Sequence, residues 1–334
     1  LTACGSSQKT EETTAAAATS AAEETTAAEA AEDTEKNETD EVVIATPRDA
    51  VQGSGDAYYC WEGAYVWEAL TANNGGVIDP WLAKSWEHND DCTEWTFNLR
   101  DDAYFTDGVQ FNADVCLKNI ERWGHGITST YTTLSIEKSL PNLDKMEKVD
   151  DFTVKFTFTQ PITTLEYVLS DYGSPMYSPN CFDEETGVIS DYAIGTGPYK
   201  IVDHVESEYV TLERNDNYYG ENGKVKTFKI RCIPDAETRV SALKSGEVMG
   251  LADNGAITMD AAKNLCDTDS SFEMDSTPSH MTEYIMFNDK NEYLADKRMR
   301  EAFNLATDRD SICSVIYGGL LQPAYSFLST QSTF

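Results

Sequence analysis

The chain has 334 residues, 40% of them hydrophobic, with 58 Asp or Glu against 25 Lys or Arg, a formal net charge of −33 at pH 7. That length allows two or more domains and that apolar content a real core. The acidic excess is spread along the chain and argues against nucleic acid or anionic membrane surfaces as partners, because a phosphate-binding face needs clustered Lys and Arg.

At the amino terminus, Leu1-Thr2-Ala3-Cys4-Gly5 has the small-residue pattern that precedes lipid attachment in bacterial lipoproteins, as though an apolar signal region upstream were left out. The expectation is a diacylglycerol thioether on Cys4, residues 1–4 being the end of a lipoprotein signal. Residues 5–40 are mostly Ala, Thr, Glu and Ser with no aromatic side chain, too little apolar surface to offset the entropy of ordering, so a disordered tether is expected. The other seven cysteines, Cys60, Cys92, Cys116, Cys181, Cys232, Cys266 and Cys313, form no CxxC pair and have no histidine at ligand spacing. They do not read as a zinc site, and scattered thiols in an exported protein suit a reducing habitat.

Val42 to Ala45 reads as the first strand, followed by a loop with Gly53 and Gly55 and a helix-like run from Tyr58 to Leu70. Tyr58, Tyr59 and Cys60 at that strand-to-helix junction are the first candidate ligand contacts, since such junctions border the crevice of α/β proteins. Ala83 to Glu87 and Glu94 to Arg100 flank the turn-rich His88-Asn89-Asp90-Asp91 and read as an antiparallel hairpin. Period two puts Trp95, Phe97 and Leu99 on one buried face. After the Asp107-Gly108 turn, Asn112 to Asp114 can cap a helix running to Trp123, where Gly124-His125-Gly126 interrupts it. Trp123, His125 and Tyr131 are further candidate contacts.

Met146 to Phe158 alternates and predicts two strands turning at Asp150-Asp151, and Leu165, Val168 and Leu169 have helical spacing. Tyr172 to Tyr177 is turn chemistry, with Tyr172 and Met176 as candidate contacts. Gly195-Thr196-Gly197-Pro198 lacks the ending and spacing of a phosphate loop, and a strand follows it, so its glycines are read as structural. Val205 to Arg214 and Lys226 to Ile233 read as strands. Asp235 to Gly246 reads as a capped helix with Val240 and Leu243 on its apolar stripe, and strand-helix-strand there implies a parallel pair. Tyr284 to Asn288 predicts another strand, and Asp296 to Asp308 a helix.

Three ordered blocks carry a resemblance. Leu82-Ala83, Trp86-Glu87, Trp95-Thr96-Phe97, Leu99-Arg100, Phe105, Asp107-Gly108, Phe111 and Ala113-Asp114 form the first. Gly195 to Lys200 with Arg214 to Tyr219 form the second, and Asp296 to Ala302 with Asp308-Arg309 the third. Together they resemble the peptide/nickel (family 5) class of extracytoplasmic solute-binding proteins, the capture subunits of ABC importers. The resemblance implies an α/β, two-lobe fold of the periplasmic-binding-protein type (type II, enlarged peptide-binding class). Residues 41–278 would be the first lobe and 279–334 the start of a second, so that the chain reads as a C-terminally truncated fragment.

It further implies reversible binding without cofactor or catalysis, a permease as partner, and a lipid-anchored position on the extracytoplasmic face of the cell membrane. Oligopeptides or dipeptides are the first expected solute, and nickel or a nickel chelate the second, with His125 as metal contact in that case only. A charged peptide terminus would find its partner in the second lobe. The nickel branch would present an arginine near Tyr172, whereas this chain has none between Arg122 and Arg214. GxSxG, HExxH and Walker patterns are absent, which leaves enzyme readings without a motif. A sensor or adhesin built on the same fold is the alternative of another class.

Overall fold

The computed structural model describes residues 39–50, 65–125, 127–128, 133–170, 174–189, 191–253, 255–275 and 282–326. In chain order the strands are β1 (Thr39–Thr46), β2 (Thr71–Asn74), β3 (Val77–Pro80), β4 (Ala83–His88) and β5 (Glu94–Leu99). Helix α1 (Ala113–Trp123) leads to β6 (Ile127–Thr128), β7 (Thr133–Leu134), α2 (Ile136–Ser139), β8 (Leu143–Asp150), β9 (Thr153–Phe158) and α3 (Leu165–Val168). Then follow β10 (Tyr199–Val205), β11 (Tyr209–Arg214), β12 (Val225–Cys232), α4 (Ala236–Ser245), β13 (Gly250–Leu251), α5 (Met259–Thr268), α6 (Lys297–Ala306) and α7 (Arg309–Ser311).

The hairpin read from the sequence forms one side of a four-stranded antiparallel sheet in the order β4-β5-β9-β8, with β5 and β9 at its centre. Its inward face carries Trp95, Phe97 and Leu99 from β5 and Val154, Phe156 and Phe158 from β9, all in one cluster with Phe105, Phe111, Ile120 and Trp123. α1 covers this face. Asn112 caps it, its side-chain oxygen accepting from the Val115 amide at 3.0 Å, so the first turn starts with a satisfied donor. Burying each such large apolar side chain stabilises the fold by roughly 1.5–3 kcal/mol, which makes this cluster the main anchor of the chain.

The second sheet has five strands in the order β10-β11-β12-β1-β13. β10-β11 and β11-β12 are antiparallel, whereas β1 runs parallel to both β12 and β13. Alternation along β1 serves both faces: Ile44 packs with Tyr199, Ile201, Val210 and Ile230 on one side, and Ala45 packs with Ala242 and Val248 on the other. The strand-helix-strand unit predicted around α4 is present, but β12 and β13 flank β1 instead of pairing with each other.

Three expectations are corrected. Residues 66–70 are not helical: Glu68 bridges Met176 in extended pairing, because Val66, Trp67 and Leu70 are drawn into three different clusters and no single helical face could serve all three. On α4 the buried positions are Arg239 and Ala242, with Val240 and Leu243 only half-buried. Residues 284–288 form no strand, since no partner strand lies beside them among the described residues, and Ile285 and Met286 are 78% and 79% exposed. The helix expected from Asp296 to Asp308 is present as α6, capped by Asp296, with Met299 and Phe303 exposed on one side.

Candidate functional site

The three parallel strands end at one edge of the five-stranded sheet. In open α/β sheets ligands bind in the crevice outside the carboxyl ends of such strands. The ladder runs past the strands themselves: the Ile233 amide donates to the Thr46 carbonyl at 2.9 Å and the Ala252 amide to the Ala45 carbonyl at 3.0 Å. Thr46, fully buried, donates through Oγ1 to the Arg48 carbonyl at 2.8 Å, which fixes how the chain turns as it leaves β1. Arg48 then pairs with Asp253, just beyond β13, with Nη2 2.6 Å from Oδ1. Next to it Asp49 accepts from the Ser207 amide at 2.6 Å and lies 3.1 Å from Nε2 of His204 on β10.

Behind this edge lies Arg239 of α4, only 2% exposed. Its guanidinium donates to the carbonyls of Ile233 and Pro234, after β12, and to those of Gly255 and Ala256, after β13. A buried guanidinium needs its donors filled, and here four backbone acceptors do so. The exits of the two outer parallel strands are thereby tied to one side chain, and the edge is preorganised. Asp253 itself holds φ of +87°, a left-handed conformation that Asp tolerates better than most residues.

A second polar centre joins the two sheets' connecting segments. Glu68, fully buried, accepts at Oε1 from the hydroxyls of Tyr218 and Tyr219, both at 2.7 Å, and at Oε2 from Thr196 at 2.7 Å. Burial raises its carboxyl above the ordinary value, and the hydrogen bonds from Thr196, Tyr219, Tyr218 and Trp81 oppose that rise without cancelling it. Burial, followed by the charge on Glu68, likewise pushes both tyrosine hydroxyls up. Arg100 lies over the Tyr219 ring, 3.9 Å from its centroid. The centre holds the Gly195–Pro198 turn against residues 65–70, where the Gly197 amide donates to the Val66 carbonyl at 2.9 Å.

Of the side chains singled out in the sequence, Cys4, Tyr58, Tyr59, Cys60, Tyr131 and Tyr172 lie outside the described residues. Trp123 and Met176 are fully buried in the cluster beneath the four-stranded sheet, where apolar packing at helix and bridge positions accounts for them. His125 is exposed beside the Asp183–Gly187 turn, whose Asp183 carboxyl is held below the usual range chiefly by the Thr186 amide and hydroxyl. The six described cysteines, Cys92, Cys116, Cys181, Cys232, Cys266 and Cys313, are free thiols. No group of three potential metal ligands occurs among the described residues, and no described helix is long and apolar enough to cross a membrane.

Arg48, Asp253, Glu68 and Arg239 were all missed by sequence reasoning. The Glu68 centre had one available signal, a lone carboxylate in the otherwise apolar run Tyr65 to Leu70. The Arg48–Asp253 pair had none, because a contact across 205 positions appears only when β1 and β13 become neighbours.

The model of the bacterial extracellular solute-binding proteins, family 5 Middle, matches residues 77–334. The glutathione-binding protein GsiB of Escherichia coli K12 is 28% identical over 247 residues, 73% of this chain and 46% of GsiB, so the chain spans about half the length of that relative. Among solved structures, the periplasmic binding protein DppA of Helicobacter pylori in complex with peptide STSA gives a TM-score of 0.72 at 22% identity, over 88% of this chain and 62% of that one. NikZ of Campylobacter jejuni in complex with Ni(L-His) gives 0.66 at 26% identity, over 83% and 55%. Both share the fold, and with the family model matched over most of the sequence, this chain belongs to the bacterial extracellular solute-binding proteins of family 5.

Proposed function

We propose that this chain is the capture part of an ABC importer, binding oligopeptides or dipeptides outside the cytoplasmic membrane and delivering them to a permease. The observation that carries the reading is the family match over residues 77–334. Residues 41–278 would form the first lobe and 279–334 the beginning of the second, with closure of the lobes biasing the receptor toward the form a permease accepts. Cys4 would carry the lipid and residues 5–38 would be the leash, since Thr39 and Asp40 already belong to β1. Tyr58, Tyr59, Cys60, Tyr131, Tyr172 and the exposed His125 are the proposed solute contacts, while Trp123 and Met176, fully buried, are not among them. The chemistry is reversible binding, without a covalent step.

A nickel chelate is the second reading, favoured by the similarity to a protein solved with Ni(L-His). Deleting the gene in the source cell separates the two. Loss of labelled dipeptide and tripeptide uptake with nickel accumulation intact supports the peptide receptor; the reverse supports the metal receptor. Unchanged uptake of both would remove the importer reading.

A further inference from the structure

We propose that Glu68 is a proton-operated latch between the two sheets, holding residues 65–70 firmly while its carboxyl carries a proton and letting them open more readily once it is ionised. The role is independent of which solute the receptor carries, and no ligand is needed to observe it.

Geometry carries the assignment. Glu68 is 0% exposed and accepts only from neutral donors: Tyr218 and Tyr219 at Oε1, Thr196 at Oε2, and the Trp81 side chain. Among the described residues no cation is hydrogen-bonded to it. Arg100 acts on it only at a distance, from over the Tyr219 ring, and spends its own Nε and Nη2 on Asp102, both at 2.8 Å. A buried carboxylate is costly to ionise unless a cation is paired with it. Burial therefore favours the neutral acid here, and the carboxyl stands above its ordinary value for that reason first.

Both protonation states fit the same arrangement of side chains. When Glu68 is ionised, all four neighbours donate to it; when it is protonated, a tyrosine or threonine hydroxyl can turn and accept the acid proton, as the Trp81 indole cannot. What the centre ties together is distant in sequence. Thr196 precedes β10 and Tyr218-Tyr219 follow β11 on the five-stranded sheet, while Trp81 leads into β4 and Arg100 leaves β5 on the four-stranded one. Backbone amides pin the same segment: Gly197 donates to the Val66 carbonyl at 2.9 Å, and Met176 to the Glu68 carbonyl and Ala83 to the Leu70 carbonyl, both at 2.8 Å. If the segment opens, Glu68 meets water and titrates as an ordinary carboxyl. The closed form thus binds the proton more tightly than the open one, so opening becomes easier as pH rises from the ordinary carboxylate range through the raised value, and then levels off.

The test follows the full chain without ligand as wild type, E68Q and Y219F. Carbon-13 NMR of protein labelled at the glutamate carboxyls reads Glu68, assigned by its absence in E68Q or its displacement in Y219F. Amide hydrogen exchange, corrected for its intrinsic pH dependence, reads the Gly197 and Met176 amides. The wild-type Glu68 carboxyl should titrate above the ordinary carboxylate range, and both amides should lose protection across that same interval. E68Q should not show this loss. In Y219F a hydroxyl that favours the ionised form is gone, so the titration and the loss of protection should both move to higher pH, and this variant carries the test by itself if E68Q fails to fold. A Glu68 carboxyl that titrates within or below the ordinary range overturns the proposal. So does amide protection that does not follow the titration, or a Y219F profile that matches wild type.

Discussion

Glu68 and Tyr219 meet at 2.7 Å in the interior, carboxylate to hydroxyl, 151 positions apart in sequence. With Tyr218 and Thr196 on the same carboxylate, the contact ties residues 65–70 to the turns on either side of β10 and β11. Because burial raises the folded-state value of Glu68 above that of the unfolded chain, the native form binds the proton more tightly. The stability this contributes is present at acid pH and is lost as pH rises from the ordinary carboxylate range through the raised value. Replacing Glu68 with Gln should flatten that fall, so that thermal unfolding followed from acid to neutral pH shows a shallower decline in Tm than wild type. A steeper decline in the variant would reverse the sign argued here. Glu68→Ala should cost about 2–5 kcal/mol in urea unfolding, since it strands buried hydroxyls.

Gly195 has no room for a side chain. An added Cβ would fall 2.0 Å from the Val66 carbonyl oxygen and 2.7 Å from the Trp67 Cα, both backbone atoms that cannot swing aside. Gly195→Ala should therefore destabilise by about 1–3 kcal/mol or more, as overpacking does. Gly246→Ala, where open space surrounds the site but φ is +76°, should cost only the smaller strain of a left-handed residue, roughly 1–2 kcal/mol. Urea unfolding of the two variants checks the order, and equal costs would show that the close approach at Val66 is relaxed in solution.

Arg239→Met should be among the most damaging substitutions outside the apolar core. It leaves four carbonyls at the exits of β12 and β13 without their donor, at a cost of about 3–5 kcal/mol. Arg239→Lys should recover only part of it, because an ammonium cannot reach all four acceptors in the guanidinium's plane. Full recovery in the lysine variant, measured by chemical denaturation, would contradict the four-point tie.

The thiols should divide by burial. Burial pushes the Cys116 thiol up to about 12, and burial likewise, partly offset by a backbone hydrogen bond from Ile194, pushes Cys181 up to about 11. In the native protein at pH 8 with excess iodoacetamide, Cys92, Cys266 and Cys313 should be alkylated well before Cys116 and Cys181, and denaturant should erase the difference. Peptide mapping of the label gives the order. Early labelling of Cys116 would mean that α1 opens readily from its sheet.

How much could be read in advance depended on the distance over which each feature is decided. The β4–β5 hairpin, the Asn112 cap of α1, the β8–β9 pair and the capped α4 were all legible, because period two, period 3.6 and capping residues act within a dozen positions. The segment 65–70 misled because its apolar run fits a helix as well as an extended buried segment, and only the clusters that Val66, Trp67 and Leu70 join decide between them. Tyr284 to Asn288 has strand-type residues, yet a strand needs a neighbour to complete its backbone hydrogen bonds. The short β2–β3 pair around Gly75-Gly76 was not anticipated, although two glycines with positive φ make its turn. Trp123 and Met176 were singled out for a cleft and went to the core, the ordinary fate of large apolar side chains.

Native mass spectrometry with metal analysis, on the complete mature protein purified gently and without added ligand, shows which solute the receptor carries. A peptide receptor should show a ladder of noncovalently bound masses fitting short peptides, released on mild activation. Stoichiometric nickel with a small organic chelator would replace the peptide reading with the metal one and direct attention to His125. A folded protein that carries neither, and takes up neither when offered, would contradict the receptor account.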